Sequence, residues 1–186
     1  MIRRMFQSAV LSVSVLTAGF AGLLSTPTAA TAASPGNADD WKAFSPKGGK
    51  FTVKMPGEPQ KLSQQVDGLK VVLYGYEEAD AGMYMVGYVD LPPGTVTGEN
   101  TSEFLDQFVK GAAEGMDGKV LKSKAITLGK NPGREFTFSV PDIEGTGKCR
   151  AYLVSNRLYM VMAIGTEEFM GGEGVNTFLN SFKLTK

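Results

Sequence analysis

Apolar and polar residues alternate along most of the chain after residue 40, and the alternation gives way once, from Asn100 onward, to a period near 3.6. The alternating runs predict strands. Residues 41–45 and 50–55 flank Pro46-Lys47-Gly48-Gly49, a turn composition, and so predict a first hairpin that Pro56 and Pro59 end. Asp67-Gly68 suits a type I′ turn, which pairs Val66 with Leu69, Gln64 with Val71 and Leu62 with Leu73. On that register Leu62, Val66, Leu69, Val71 and Leu73 share one face. A strand over 83–91 follows the acidic loop 77–82. The helical stretch carries Phe104, Leu105, Phe108, Val109, Ala112 and Met116 on one side, with Asp106, Gln107, Lys110 and Glu114 on the other. Asn100 and Glu103 have capping-box spacing at its start, and Gly115 with Asp117-Gly118 ends it.

The chain then returns to strands over 119–128 and to a meander over 132–165, which the rest of the protein is organised around. Every residue from Leu158 to Ile164 is apolar, a run that predicts a central strand covered on both faces. If Asn156-Arg157 is the two-residue turn before it, Leu153 faces Met160, Ala151 faces Met162 and Cys149 faces Ile164, with Phe138 near Cys149 and Phe136 near Ala151. One face is then wholly apolar: Phe136, Phe138, Cys149, Ala151, Leu153, Met160, Met162 and Ile164. The other carries Glu135, Thr137, Arg150, Tyr152, Val154, Tyr159 and Val161. A short helix over 174–180, with Val175, Phe178 and Leu179 inward, closes the chain, and Phe182 and Leu184 pack back behind it.

The first third is of another kind. Arg3 and Arg4 precede a mildly apolar, acid-free run over 5–24 and the small residues TPTAATAA at 26–33. This is the layout of a cleavable secretory signal over 1–33, cut after Ala30, Ala32 or Ala33, with a polar linker over 34–40 and one domain over 41–186. Arg3-Arg4-Met5-Phe6 also resembles the front of a twin-arginine signal, which leaves the export route open. The 186 residues hold 19 basic and 19 acidic side chains, so loss of Arg3 and Arg4 leaves 17 against 19. Neither the balance nor the scattered lysines point to nucleic acid, and no membrane span is expected after signal cleavage.

The chain contains no histidine, which excludes Ser-His-Asp and Cys-His catalysis and every His-ligated metal or haem site. Cys149, the only cysteine, has no partner for a disulfide within the chain and reads as a buried small hydrophobe. Glu77, Glu78 and Asp80 lack the regular oxygen spacing of a calcium loop. The alternating methionines at 83, 85, 160 and 162 read as core residues before copper ligands. No catalytic residue, metal site or cofactor is implied. One polar constellation remains as a candidate binding site: Arg134, Glu135, Arg150 and Tyr152, with Glu135 expected opposite Tyr152 and diagonal to Arg150. It reads either as a binding patch or, more ordinarily, as a structural ion pair on a partly covered sheet face.

FTVKMPGEP at 51–59, PGREF at 132–136, CRAYLVSNRLYMVMAIG at 149–165 and FLNSFKL at 178–184 together resemble a group of secreted bacterial proteins of unknown activity. That group is similar in layout to the PsbP-like α/β/α sandwich, the fold of the extrinsic photosystem II subunit. The resemblance implies an α+β fold, a mainly antiparallel sheet covered by helices on both faces, and a non-enzymatic accessory or binding role with a protein or small-molecule partner. It brings no catalytic residue with it, and fold alone does not fix function. Two other classes stay open: a small-ligand or metal carrier, and a histidine-free hydrolase with Glu135 or Asp90 as its acid or base.

Overall fold

The computed structural model describes residues 41–66, 68–78 and 81–185. The expected signal and linker, with Asp67 and Asp80, lie outside the described residues. After the hairpin β1 (Lys42–Phe44) and β2 (Phe51–Met55) come β3 (Gln60–Val66), β4 (Leu69–Glu78) and β5 (Gly82–Asp90). Helix α1 (Thr101–Glu114) leads to β6 (Val120–Leu128), β7 (Asn131–Val140), β8 (Gly145–Val154) and β9 (Arg157–Gly165). The chain ends in α2 (Glu167–Gly171), α3 (Glu173–Ser181) and β10 (Lys183–Leu184).

Seven strands form one sheet in the order β3-β4-β5-β9-β8-β7-β6, with every neighbouring pair antiparallel. Two meanders, β3-β4-β5 and β6-β7-β8-β9, are joined along the β5–β9 seam. The apolar run 158–164 lies at the centre of the sheet, as its lack of a wet face requires. Helix α1 covers one face, where its stripe of Phe104, Leu105, Phe108, Val109 and Ala112 is buried against Phe136, Phe138, Cys149 and Ala151. The other face is covered by the β1–β2 hairpin, to which β10 adds a third strand, and by α2 and α3. The arrangement is an α+β sandwich.

The Val66↔Leu69, Gln64↔Val71 and Leu62↔Leu73 pairs form as the Asp67-Gly68 turn predicts. Leu62 nevertheless stays 43% exposed, because β3 is the edge strand there. In the second meander the register differs from expectation. The turn is Ser155-Asn156, with Ser155 at φ 53°, and Arg157 belongs to β9. Leu153 therefore faces Leu158, Ala151 faces Met160 and Cys149 faces Met162, while Phe136 rather than Phe138 pairs with Cys149. Arg157 is drawn into the ladder because it pairs with Asp90 across the seam. Both shifts are of two residues, and a strand repeats its face every two, so the apolar and polar faces are as predicted.

One local expectation, at the start of α1, fails. Asn100 does not cap α1 with its side chain; its Oδ1 instead accepts from the Thr97 backbone N–H at 2.7 Å, and Glu103 is taken up by Gln107. Helix α2 forms within the glycine-rich stretch because Thr166 caps it, its hydroxyl accepting from the Phe169 N–H, and because Phe169 is buried. Between β6 and β7, Gly129-Lys130 is a two-residue turn with Gly129 at φ 61°. Gly147 answers a different demand: the Phe138 ring lies over it, so close that a Cβ there would sit 2.2 Å from the ring.

Candidate functional site

Arg134 and Glu135 are neighbours on β7, so their side chains leave opposite faces of the sheet. Arg134 turns toward α1. Its Nε donates to Asp106 Oδ1 at 2.7 Å and its Nη2 to Asp106 Oδ2 at 3.2 Å and Ser102 Oγ at 2.7 Å, a two-pronged grip on the first two turns of the helix. It is not part of a site with Glu135, Arg150 and Tyr152, and the four-residue constellation is corrected on that point.

Glu135 and Arg150 do meet. They are directly opposite in the β7–β8 ladder rather than diagonal, and Gly133, not Glu135, lies opposite Tyr152. Arg150 Nε donates to Glu135 Oε2 at 2.6 Å, and Lys124 Nζ from β6 approaches Oε1 at 2.9 Å. Lys148 Nζ stands 4.0 Å from the same oxygen. Arg150 also reaches the end of α3: its Nη1 donates to the Leu179 carbonyl and to Asn180 Oδ1, both at 2.9 Å. A guanidinium at a helix C-terminus satisfies carbonyls that have no partner within the helix and opposes the negative end of its dipole. Tyr152 meets Arg150 through a side-chain hydrogen bond at its hydroxyl, while its ring stacks on Phe182 at 5.9 Å, just past the end of α3.

Burial would raise the Glu135 carboxyl, but the hydrogen bonds from Arg150 and Lys124 and the charges of Arg150 and Lys148 outweigh it and hold the group below the usual carboxylate range. Its carboxylate is thus kept ionised and fully engaged. Cys149, buried and pushed up by desolvation above all, is the opposite of an activated thiol.

A further clamp has no counterpart among the sequence expectations. Arg157 holds Asp90 in a bidentate pair at 2.5 and 2.7 Å, lies 4.1 Å over the Tyr88 ring, and donates to the Gly48 carbonyl at 2.8 Å. It fastens the β1–β2 turn to the sheet. Asp90, the alternative acid or base, is therefore an arginine partner. The three arginines among the described residues each tie one covering element to the sheet: Arg134 ties α1, Arg150 ties α3 and Arg157 ties the hairpin.

What sequence reasoning missed around Glu135 were Lys124 and Lys148. Recognising Gly129-Lys130 as a hairpin turn places Lys124 opposite Glu135 by counting alone. With that register, two rows of side chains cross β6, β7 and β8 on one face: Lys122, Thr137 and Lys148, then Lys124, Glu135 and Arg150. Lys122 and Lys124 are exposed, Thr137 and Lys148 half-buried. On the far side of the molecule a shallow, open depression runs along the outer face of α1, lined by Glu99, Ser102, Glu103, Asp106, Gln107 and Lys110. Among the described residues no group of three His, Cys, Asp or Glu side chains is placed to hold a metal ion, and no helix is long and apolar enough to cross a membrane.

No family model matches the chain, and no curated protein matches it by sequence. By structure it is similar to the solution structure of cyanobacterial PsbP (CyanoP) from Synechocystis sp. PCC 6803, with a TM-score of 0.58, 12% identity, and coverage of 87% of this chain and 98% of that one. At that identity the likeness is one of fold, and the fold is PsbP-like.

Proposed function

Proceeding from a PsbP-like sandwich, we propose that the protein is an exported, non-catalytic accessory or binding domain. The observation that carries this reading is the fate of the polar groups best suited to chemistry. Glu135 and Asp90 are each locked to an arginine that also fastens a covering layer, so neither has a role left in moving protons. A carboxylate held below its ordinary range is a weak base, and in its ionised form it has no proton to donate as an acid. The net effect is a rigid sheet whose spare polar surface is open. Such a surface suits a macromolecular partner better than an enclosed small molecule. Export is part of the reading because of Arg3-Arg4, the acid-free run and TAATAA.

Native mass spectrometry of the protein purified from the extracytoplasmic fraction tests both halves. A chain that begins between Thr31 and Ser34 and retains a protein partner is the expected result. Retained low-molecular mass would replace this reading with a carrier, and an intact Met1 in a cytoplasmic fraction would remove export.

A further inference from the structure

Strand β6 is one end of the large sheet, and among the described residues no strand pairs with its outer side. The geometry of the Gly129-Lys130 turn tells which of its backbone groups are spare. A two-residue hairpin turn is closed by a hydrogen-bonded pair, here Leu128↔Asn131. By antiparallel alternation Ile126 and Lys124 also bond inward to β7, so Ser123, Ala125 and Thr127 direct their N–H and C=O groups outward. That is a ready template for one more strand.

The charge along this edge is of one sign. From Lys119 to Asn131 there are lysines at 119, 122, 124 and 130 and no carboxylate. Behind β6, on the same face as Lys122 and Lys124, stand Lys148 and Arg150, with Glu135 the one acid among them. A solvated edge guarded by lysine is the ordinary reading of such a strand. Here the guard is incomplete: Val120 and Leu121, at the bulged end of β6, are 39% and 59% exposed. A second copy is a poor occupant, because pairing β6 with β6 brings lysine-bearing edges together without a compensating acid. Beyond Lys124, which Glu135 already answers, opposite charge is what this edge lacks.

The geometry points to β6 as the docking edge for an extended, acidic segment of a partner protein, which adds as an eighth strand with carboxylates over Lys122 and Lys124. The inference rests on the binding-domain reading and names its partner's chemistry. Main-chain pairing to Ser123, Ala125 and Thr127 supplies the register, and the lysine face selects the sign of the charge.

An eight-residue peptide of alternating glutamate and valine is the probe, with its lysine-valine counterpart as control, titrated into the isotopically labelled mature chain. Amide exchange at Ser123, Ala125 and Thr127 should slow with the acidic peptide only, and added salt should weaken the effect. Ala125→Pro removes an outward N–H without touching the β6–β7 ladder and should weaken binding at least about ten-fold. Lys122→Glu should do the same, and it keeps the test sound should the proline variant not fold. Unchanged exchange at these amides, equal binding of both peptides, or undiminished affinity in both variants would overturn the proposal. The binding-domain reading is judged separately: a native partner retained equally by wild type and Ala125→Pro sinks the β6 edge alone, whereas no partner on the wild-type exported chain sinks the reading beneath it.

Discussion

On one side of the sheet a single 14-residue helix is the regular element that covers the core; on the other a hairpin, two short helices and a two-residue strand share the task. The difference extends to the side chains. The α1 layer is built mainly from Phe104, Leu105, Phe108, Val109 and small alanines over Phe136 and Phe138. The patchwork layer holds Trp41, Phe51, Phe169, Phe178 and Phe182, and all six tyrosines of the chain turn toward it. A regular helix satisfies its own interior carbonyls, so burying its stripe is enough. Short elements have proportionately more ends, and each end leaves backbone groups that need outside partners. Arg150 and Arg157 donate to such carbonyls, at Leu179 and at Gly48, whereas the contacts of Arg134 with α1 are to the side chains of Ser102 and Asp106. Large rings with a polar tip suit the irregular layer for a similar reason: they fill uneven space while their hydroxyls find partners, as Tyr84 does with Glu78 and Tyr159 with Arg157.

The largest test of this comparison removes a ring from each layer. Phe108→Ala and Phe178→Ala should each cost about 3–5 kcal/mol in urea melts, since both rings are buried and leave a cavity. A Phe178 variant that lost under about 1 kcal/mol would make the patchwork a loose cover and not a core layer.

Next come the clamps. Arg150→Lys keeps a charge near Glu135 but cannot bridge to Leu179, and should cost about 1–3 kcal/mol through an unpaired helix-end carbonyl. Arg134→Lys should stay within about 1 kcal/mol, because its partner Asp106 is 59% exposed at the side chain. Equal losses would mean that the two layers are held in the same way.

Acid sharpens the contrast further. The folded-state value of Glu135 lies below its ordinary 4.5, so its contribution to stability is complete above that value and disappears as the pH falls through the lower, folded one. Glu135→Gln should therefore be less stable than wild type near neutrality and lose less below about pH 4.5. Asp106, held low chiefly by its Arg134 hydrogen bond, acts in the same direction, and Asp106→Asn should show a smaller version of the same change. Thermal melts across pH 3–7 compare the two. The smallest effect is expected at Lys110 on the wet side of α1, where replacement by alanine should stay within about 0.5 kcal/mol.

Much of the layering was legible in the sequence because periodicity survives errors of register. The Ser155-Asn156 turn moved every β8–β9 partner by two residues, yet Cys149 and Phe136 stayed on the apolar face and Tyr152 and Val161 on the other. The candidate site was read less well, and part of the failure was avoidable: two adjacent strand residues cannot share a face, so Arg134 and Glu135 could not have formed one patch. The rest lay in contacts between distant parts of the chain. Nothing local in Ser-Asn-Arg-Leu tells that Arg157 will reach both Asp90 and the carbonyl of Gly48, 109 residues earlier. Helix α2 depends on Phe169 finding a cavity beside Tyr84, which propensity within a glycine-rich stretch does not disclose.

The β5–β9 seam sets the order in which such a molecule can come together. Each meander consists of neighbours in the chain, but Asp90 and Arg157 meet across 67 residues, a closure that costs about 4 kcal/mol of chain entropy beyond a fixed term. Contact between the halves must therefore await the strand that belongs at the middle, which is the last long one to be synthesised. Until then β5 and β8 both present open edges backed by apolar side chains, the condition under which chains pair with the wrong neighbour. A ribosome-bound chain that stops before residue 157 should hold two separate three-stranded meanders and no seven-stranded sheet. Its propensity to aggregate should fall sharply once β9 has emerged.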